Sequence, residues 1–258
     1  MIRVAIIRRG DVGGIDGVNR FIFTLAYGMK KLGYQVMVFG HHMTDNPSEL
    51  FGVDVKTAVI SNSSNEGYIK CMWDWYVKGS EILKRFEPDM IIVNGVVPLR
   101  LRAFKVAVNH GNAIFELRRS RFKSYITKIL YSKYDRVVCV SSKVASEMKE
   151  IGLMCDDIIP IPIIVENYNL EVGREALIMH VGTARRKRPD ISVKAVEILR
   201  NLGYNVKLVL VGPYEEKRNY ITVKSRCPDR ELRELYSKSL ALIHPSEWEG
   251  FPYAVLEA

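Results

Sequence analysis

Residues 1–39 read MIRVAIIRRGDVGGIDGVNRFIFTLAYGMKKLGYQVMVF, and the order of apolar and glycine positions in this stretch decides the fold. Arg3 to Ile7 is a short β-prone run, and the glycine-rich stretch Gly10 to Gly17 follows it. Val18, Phe21, Leu25, Met29 and Leu32 then recur three and four residues apart, the spacing of one helix face. Gly33 is placed to stop that helix, because glycine takes the left-handed C′ conformation without strain. Val36 to Phe39 is the next strand. Strand, glycine loop, helix, strand is the opening of a parallel α/β sheet.

The same alternation continues along the chain. Tyr68 to Phe86 is helical in pattern, and Met90 to Val93, Val106 to Val108 and Arg136 to Val140 are short apolar strands. Ser142 is read as the cap of a helix reaching Ile151, with Ile158 to Ile161 as a strand after it. Short, continuous apolar strands between helices imply a parallel sheet covered on both faces. Periodicity lapses between Pro160 and Arg174, then resumes. Strands are expected at 177–181, 207–211 and 240–244, and helices at 189–202 and 229–239, with Pro252 opening a last helix at its first position. The fold class is therefore α/β, with two Rossmann-like doubly wound domains expected over residues 1–170 and 171–258, the second short.

Composition narrows the function. A net charge of +9 over 258 residues favours anionic partners: phosphate-bearing small molecules, an acidic membrane face or nucleic acid. Cys71, Cys139, Cys155 and Cys227 are scattered without a C-x-x-C pair, which argues against a zinc ribbon or a disulfide framework and fits a reducing compartment. Arg8-Arg9 cuts short the only early apolar run, so no signal-peptide core is expected and the chain reads as cytoplasmic.

Several residues could carry chemistry. Gly13 and Gly14 follow the first strand and precede a helix, where backbone N–H groups can face a phosphate. His110 follows Val106 to Val108, at the carboxyl edge of the sheet where ligands of such folds collect. Arg185, Arg186 and Lys187 follow the strand ending at Val181-Gly182, placed to neutralise a diphosphate. The final stretch, His244 to Ala258, sets Glu249 before a helix and Glu257 inside it, with Gly250 and Phe251 at the turn. No cluster has metal-ligand spacing.

This last string resembles the signature of the retaining, GT-B-fold glycosyltransferases of the "glycosyl transferases group 1" type, an E-x7-E motif in the context S-x-x-E-G-F-G-x-x-x-x-E-A. Ser246, Glu249, Gly250, Phe251, Glu257 and Ala258 match it, with Pro252 where the second glycine usually stands. Thr183 also stands where the family often has arginine. The resemblance implies transfer of a sugar from a UDP- or GDP-sugar donor to a hydroxyl of a saccharide, glycolipid or protein glycan, with retention, no cofactor and no metal. It implies that Glu257 binds the ribose hydroxyls, and that Glu249 with the backbone of Gly250 and Phe251 contacts the transferred sugar. Lys187 would pair with the diphosphate, aided by Arg185 or Arg186, and His110 would contact the sugar near the reacting carbon. Gly13 and Gly14 would let the first domain approach the diphosphate.

Residues 116–136 hold seven cations against two acids, with Tyr125, Ile126, Ile129, Leu130 and Tyr134 interleaved at helical spacing. Beside the default of a solvated amphipathic helix stands a basic interfacial helix meeting anionic lipid, which would make the protein peripheral at the inner membrane face. Other readings stay open: a sugar-nucleotide epimerase, a non-catalytic binding subunit, or a nucleic-acid-binding protein, although no nucleic-acid reading element is recognisable. The family's members run on past the second glutamate. The second domain is therefore expected to be incomplete and weakly active, or covered by an oligomeric partner.

Overall fold

In a computed structural model, which describes residues 1–61, 67–111, 121–167 and 173–258, the chain forms two compact units, Met1–Pro162 and Ile163–Ala258. Each is a parallel sheet wrapped by helices.

The first unit alternates β1 (Arg3–Asp11), α1 (Gly17–Lys31), β2 (Gln35–His42), α2 (Pro47–Phe51), β3 (Lys56–Val59), α3 (Tyr68–Asp74), a π turn (Trp75–Gly79) and α4 (Ser80–Phe86). It continues with β4 (Met90–Asn94), β5 (Phe104–Asn109), α5 (Arg121–Tyr131), β6 (Arg136–Cys139), α6 (Ser142–Glu150) and β7 (Asp157–Ile158). The seven strands lie in the order β3-β2-β1-β4-β5-β6-β7, all neighbours parallel. Strand order reverses between β1 and β4, so the loops leaving these two strands diverge and open a crevice. One face buries Ala5, Ile7, Phe39, Ile91 and Val93 against Met72, Trp75 and Leu83 of the α3–α4 segment.

The second unit runs β8 (Glu175–Val181), a 3-10 turn (Arg185–Lys187), α7 (Pro189–Asn201), β9 (Lys207–Val211), β10 (Ile221–Lys224), α8 (Asp229–Lys238), β11 (Ser239–Leu242) and α9 (Tyr253–Glu257). Its order is β10-β9-β8-β11, again parallel, with the reversal between β8 and β11. Ile178, Leu208 and Leu210 pack with Val196 of α7 on one face. Met179, Val209 and Val211 pack with Leu232 and Tyr236 of α8 on the other. Side chains alternate across a strand, so one apolar run fills two cores.

The α/β class with two parallel sheets stands as read, and the local differences have local causes. The helix Tyr68–Phe86 is interrupted by the π turn, where Trp75 is fully buried and donates its indole N–H to Arg9 O at 3.1 Å. A Cβ on Gly79 would fall 2.6 Å from the Trp75 ring, so only glycine lets the turn close on that ring. Ser141, not Ser142, caps α6: its backbone is extended and its Oγ accepts from Val144 N–H. Pro252 is the N-cap of α9 rather than its first residue. The short elements α2, β3 and β10 carry too few residues to show a period.

Cys139 and Cys155, whose scatter argued against a disulfide framework, are bonded to each other and tie the end of β6 to the loop before β7, while Cys71 and Cys227 take no part in a disulfide. The pairing follows from strand adjacency, which a separation of 16 residues does not reveal.

Trp75→Ala should lower the urea midpoint of the first unit by the equivalent of about 3–5 kcal/mol, since the indole fills the core and satisfies Arg9 O. An unchanged midpoint in equilibrium unfolding would contradict this packing.

Candidate functional site

The reversal between β8 and β11 sets the loop after each strand side by side. Gly182 closes β8, and a Cβ there would meet Lys187 Cγ at 2.5 Å, so the lysine stem lies directly across the glycine backbone. Gly212, at φ +148°, ends β9 just as closely: a Cβ on it would fall 1.9 Å from Gly182 O. Tyr214 donates its hydroxyl to that same carbonyl at 2.5 Å. The backbone that carries Lys187 is therefore fixed from behind.

From the other loop, Glu249 turns its carboxylate toward this point. Oε1 accepts from Lys187 Nζ and lies 3.2 Å from His244 Nε2 and 3.4 Å from the Arg186 guanidinium. Arg186 also donates to Trp248 O and stands over its indole ring, 5.6 Å from the centroid. Backbone joins the loops as well, through Glu247 N–H to Arg186 O at 3.0 Å. Burial alone would raise the Glu249 pKa. Hydrogen bonds from His244, Lys187 and Ser246 and the lysine charge overcome it and hold the group at about 2.

The run Arg185–Arg188 is thus divided by geometry. Arg186 and Lys187 face Glu249, Arg188 binds Asp190 and Glu247, and Arg185 is exposed. Gly250 and Phe251 are half-buried in the turn after Glu249, and Glu257 is buried at the end of α9.

His180, Ser192 and Tyr214 were not singled out by sequence reading. His180 Nδ1 lies 2.8 Å from Ser192 Oγ, and its Nε2 lies 3.4 Å from Tyr214 Oη. Burial, with the charges of His244 and Lys187, pushes His180 down to about 4, so the imidazole is neutral at pH 7. The one available signal was a histidine inside the apolar strand Leu177 to Val181.

In the first unit, the loop after β1 is cross-tied. Asp11 accepts from Gly13 N–H at 2.8 Å, and from the N–H and hydroxyl of Thr44 at 3.0 and 2.8 Å. A Cβ on Gly13 would fall 2.4 Å from the backbone of Asp45, and one on Gly14 would fall 3.1 Å from the Asp11 carboxylate. The Gly13 N–H is thus spent on Asp11, and glycine serves close approach within the loop. Arg8 grips Asp16 through both guanidinium nitrogens, at 2.8 and 2.7 Å, and Asp16 caps α1 through the N–H groups of Val18 and Asn19. Sequence reading passed over Arg8, Asp16 and Asn19, because polar residues beside a glycine loop have no period.

His110 lies in the same crevice. Its Nε2 is 2.9 Å from Asn94 Oδ1, and Phe21 meets its ring edge-on at 4.7 Å. Enclosure and the nearby Arg8 charge push its pKa down to about 4, against a smaller opposing effect of Asp16. Part of the basic segment 116–136 lies outside the described residues; α5 begins at Arg121. No group of three His, Cys, Asp or Glu side chains that could hold a metal occurs among the described residues.

Residues 15–166 match the profile of Glycosyltransferase Family 4, and residues 166–258 that of Glycosyl transferases group 1. The chain belongs to glycosyltransferase family 4. No curated protein sequence matches it. Among solved structures it is similar to the sucrose-phosphate synthase of Thermosynechococcus elongatus, with TM-score 0.78 and 14% identity over 100% of this chain and 78% of that one. It is also similar to HepE of Anabaena, solved with UDP and glucose, with TM-score 0.71 and 12% identity over 100% and 78%. The UDP-GlcNAc 2-epimerase of Neisseria meningitidis, bound to UDP-GlcNAc, shares TM-score 0.58 and 9% identity over 99% and 85%. At these identities the likeness is one of fold, the GT-B class.

The lowered Glu249 pKa sets a pH window. Its contribution, on the order of 2–3 kcal/mol, is complete above the ordinary glutamate value of 4.5 and is lost as pH falls through about 2. Glu249→Gln should therefore lower the urea midpoint of the second unit at pH 7 and match the parent protein near pH 2. A midpoint difference independent of pH would contradict the ion-pair geometry. His110 should stay neutral down to about pH 5, read from its imidazole nitrogen chemical shifts.

Proposed function

We propose that the protein transfers a sugar, with retention and without a metal, from a UDP- or GDP-sugar to a hydroxyl of a saccharide, a glycolipid or a protein glycan. The observation that carries this reading is the single point where Lys187, Arg186 and His244 converge on Glu249 at the reversal of the second sheet. Breaking the anomeric carbon–oxygen bond builds negative charge on the departing diphosphate. Cations already fixed in place stabilise that charge more in the transition state than in the bound donor. Arg186 and Lys187 supply those cations, with Arg185 exposed beside them, and Lys187 is positioned by the Gly182–Gly212 contact rather than by solvent. Glu249, ionised across the physiological range, accepts from hydroxyls of the transferred sugar, with the Gly250 and Phe251 backbone beside it. Glu257 takes the ribose hydroxyls.

In the first unit, neutral His110 contacts the donor sugar near the reacting carbon. The Gly13–Gly14 loop, rigidified by Asp11 and Asp16, approaches the diphosphate. The domain limits that go with this assignment are 1–170 and 171–258. A cytoplasmic location, with segment 116–136 meeting an anionic membrane that carries a lipid-linked acceptor, completes the reading. No described helix is long and apolar enough to cross a membrane.

Thermal shift against UDP-, GDP- and ADP-sugars tests the donor, because a ligand bound only by the folded state raises the midpoint. Glu257→Ala should weaken the binding donor by roughly 1.5–3 kcal/mol, the cost of a lost charged acceptor. Lys187→Ala should lower kcat as well as affinity. Normal binding and turnover in both variants would remove the donor-site assignment. Product analysis separates transfer from epimerisation: an epimerase releases an altered sugar nucleotide without any acceptor, and a retaining transferase gives a glycoside of unchanged anomeric configuration.

A further inference from the structure

The helices over one face of the seven-stranded sheet carry a solvent-facing apolar stripe that no step of transfer uses. Ile69 is 76% exposed, Trp73 63%, and Tyr76 and Val77 37% each. Positions 69, 73 and 76–77 fall on one side of a helix, and the Trp73 and Tyr76 rings are 5.9 Å apart. The π turn makes the stripe wide. It holds one more residue than an α turn, so Tyr76, Val77 and Lys78 all emerge in succession while Trp75 and Gly79 stay buried.

The charges set around the stripe are mainly positive. Lys70 and Lys78 are exposed on it, and the Arg100 guanidinium stands 5.2 Å from the Tyr76 ring centroid. The neighbouring carboxylates are held by lysines: Asp74 is buried and paired with Lys78, and Glu81 is paired with Lys84. The outward side of α5 repeats the pattern, with Tyr125 67% and Ile129 43% exposed beside Lys128. Leu130 and Tyr134 pack on the same buried cluster as Tyr68, Cys71, Ile82 and Phe86. The α3–α4 segment and α5 therefore cover one sheet face, and their outward sides look the same way.

A second copy of the chain is a poor occupant, because a two-fold contact would bring two copies of the same basic patch together. A nucleic acid could stack on the rings but has no use for Ile69 and Val77. A bilayer surface suits every group: Trp and Tyr sit at headgroup level, aliphatic tips reach the acyl boundary, and cations meet lipid phosphates. We propose that Ile69, Trp73, Tyr76 and Val77 form the apolar anchor of a membrane-contact surface for anionic lipid, with Lys70, Arg100 and Lys128 meeting the headgroups. The proposal extends the membrane reading of segment 116–136 to a different element and is independent of the transfer reaction.

The test is vesicle flotation of the full chain, with phosphatidylcholine alone and mixed with phosphatidylglycerol, and with neither donor nor acceptor present. The expected result is binding to the anionic vesicles, weakened about tenfold or more by Ile69→Ser with Trp73→Ser. The urea midpoint should be unchanged by these exposed substitutions. Lys128→Glu, made separately, should weaken binding further when combined with them. Absence of binding to anionic vesicles would overturn the proposal. So would binding that the Ile69 and Trp73 changes leave intact while Lys128→Glu abolishes it, or a dimer or nucleic-acid complex that Trp73→Ser dissolves. Because the readout needs no turnover, failure of the transferase reading leaves this result interpretable.

Discussion

Parallel strands cannot be joined by a tight turn, and nearly every feature of this protein follows from that constraint. Each strand must be followed by a crossover that returns the chain to the same end of the sheet, and here most crossovers are helices. Right-handed crossovers put helices on both faces once the strand order reverses. That demands strands apolar on both sides, which is what Ile178 and Met179, adjacent in β8 and buried in opposite cores, supply. The reversal also leaves one place in each sheet where the connections from two adjacent strands depart in opposite directions. Both groups of functional candidates stand at such a place, one in each unit.

In the second unit the reversal solves a problem of charge. Arg186, Lys187 and Glu249 come from segments about sixty residues apart, and none is fully exposed. An ion pair at such a site gains little if its members are loosely held, because desolvation offsets the attraction. Two glycines in contact at Gly182 and Gly212, locked by the Tyr214 hydroxyl, fix the backbone beneath Lys187. The carboxylate in turn gathers three donors. The outcome is a set of charges whose orientation is set before any ligand arrives, the condition under which electrostatics favours a transition state.

The first unit is organised differently, around mutually satisfied groups. Arg8, Asp16 and Asn19 complete one another, Asp11 ties two loops, and His110 is kept uncharged by enclosure and by Arg8. Arg8 offsets the Asp16 charge, and the Asp11 carboxylate is held ionised by neutral donors from Gly13 and Thr44. Exposed cations lie on the outward side of the α3–α4 segment, Lys70 and Lys78 among them.

The sequence by itself determined the class of fold, because apolar periodicities of two and 3.6 residues are local and survive without tertiary context. Arg3 to Phe39 specified strand, loop, helix and strand in order, and His244 to Ala258 carried the family signature. Short elements such as β3 and β10 escaped, being shorter than any period that could announce them. Only the tertiary structure decided which cation meets which carboxylate. Four adjacent residues, Arg185 to Arg188, look alike in sequence, yet the 3-10 turn sends two to Glu249 and one to Asp190 and Glu247. It likewise decided that His180 is a buried neutral partner of Ser192 and Tyr214, and that Cys139 meets Cys155. These are contacts between segments brought together by strand pairing. Their partners are chosen by the order of strands in the sheet, a quantity to which no local spacing of residues is sensitive.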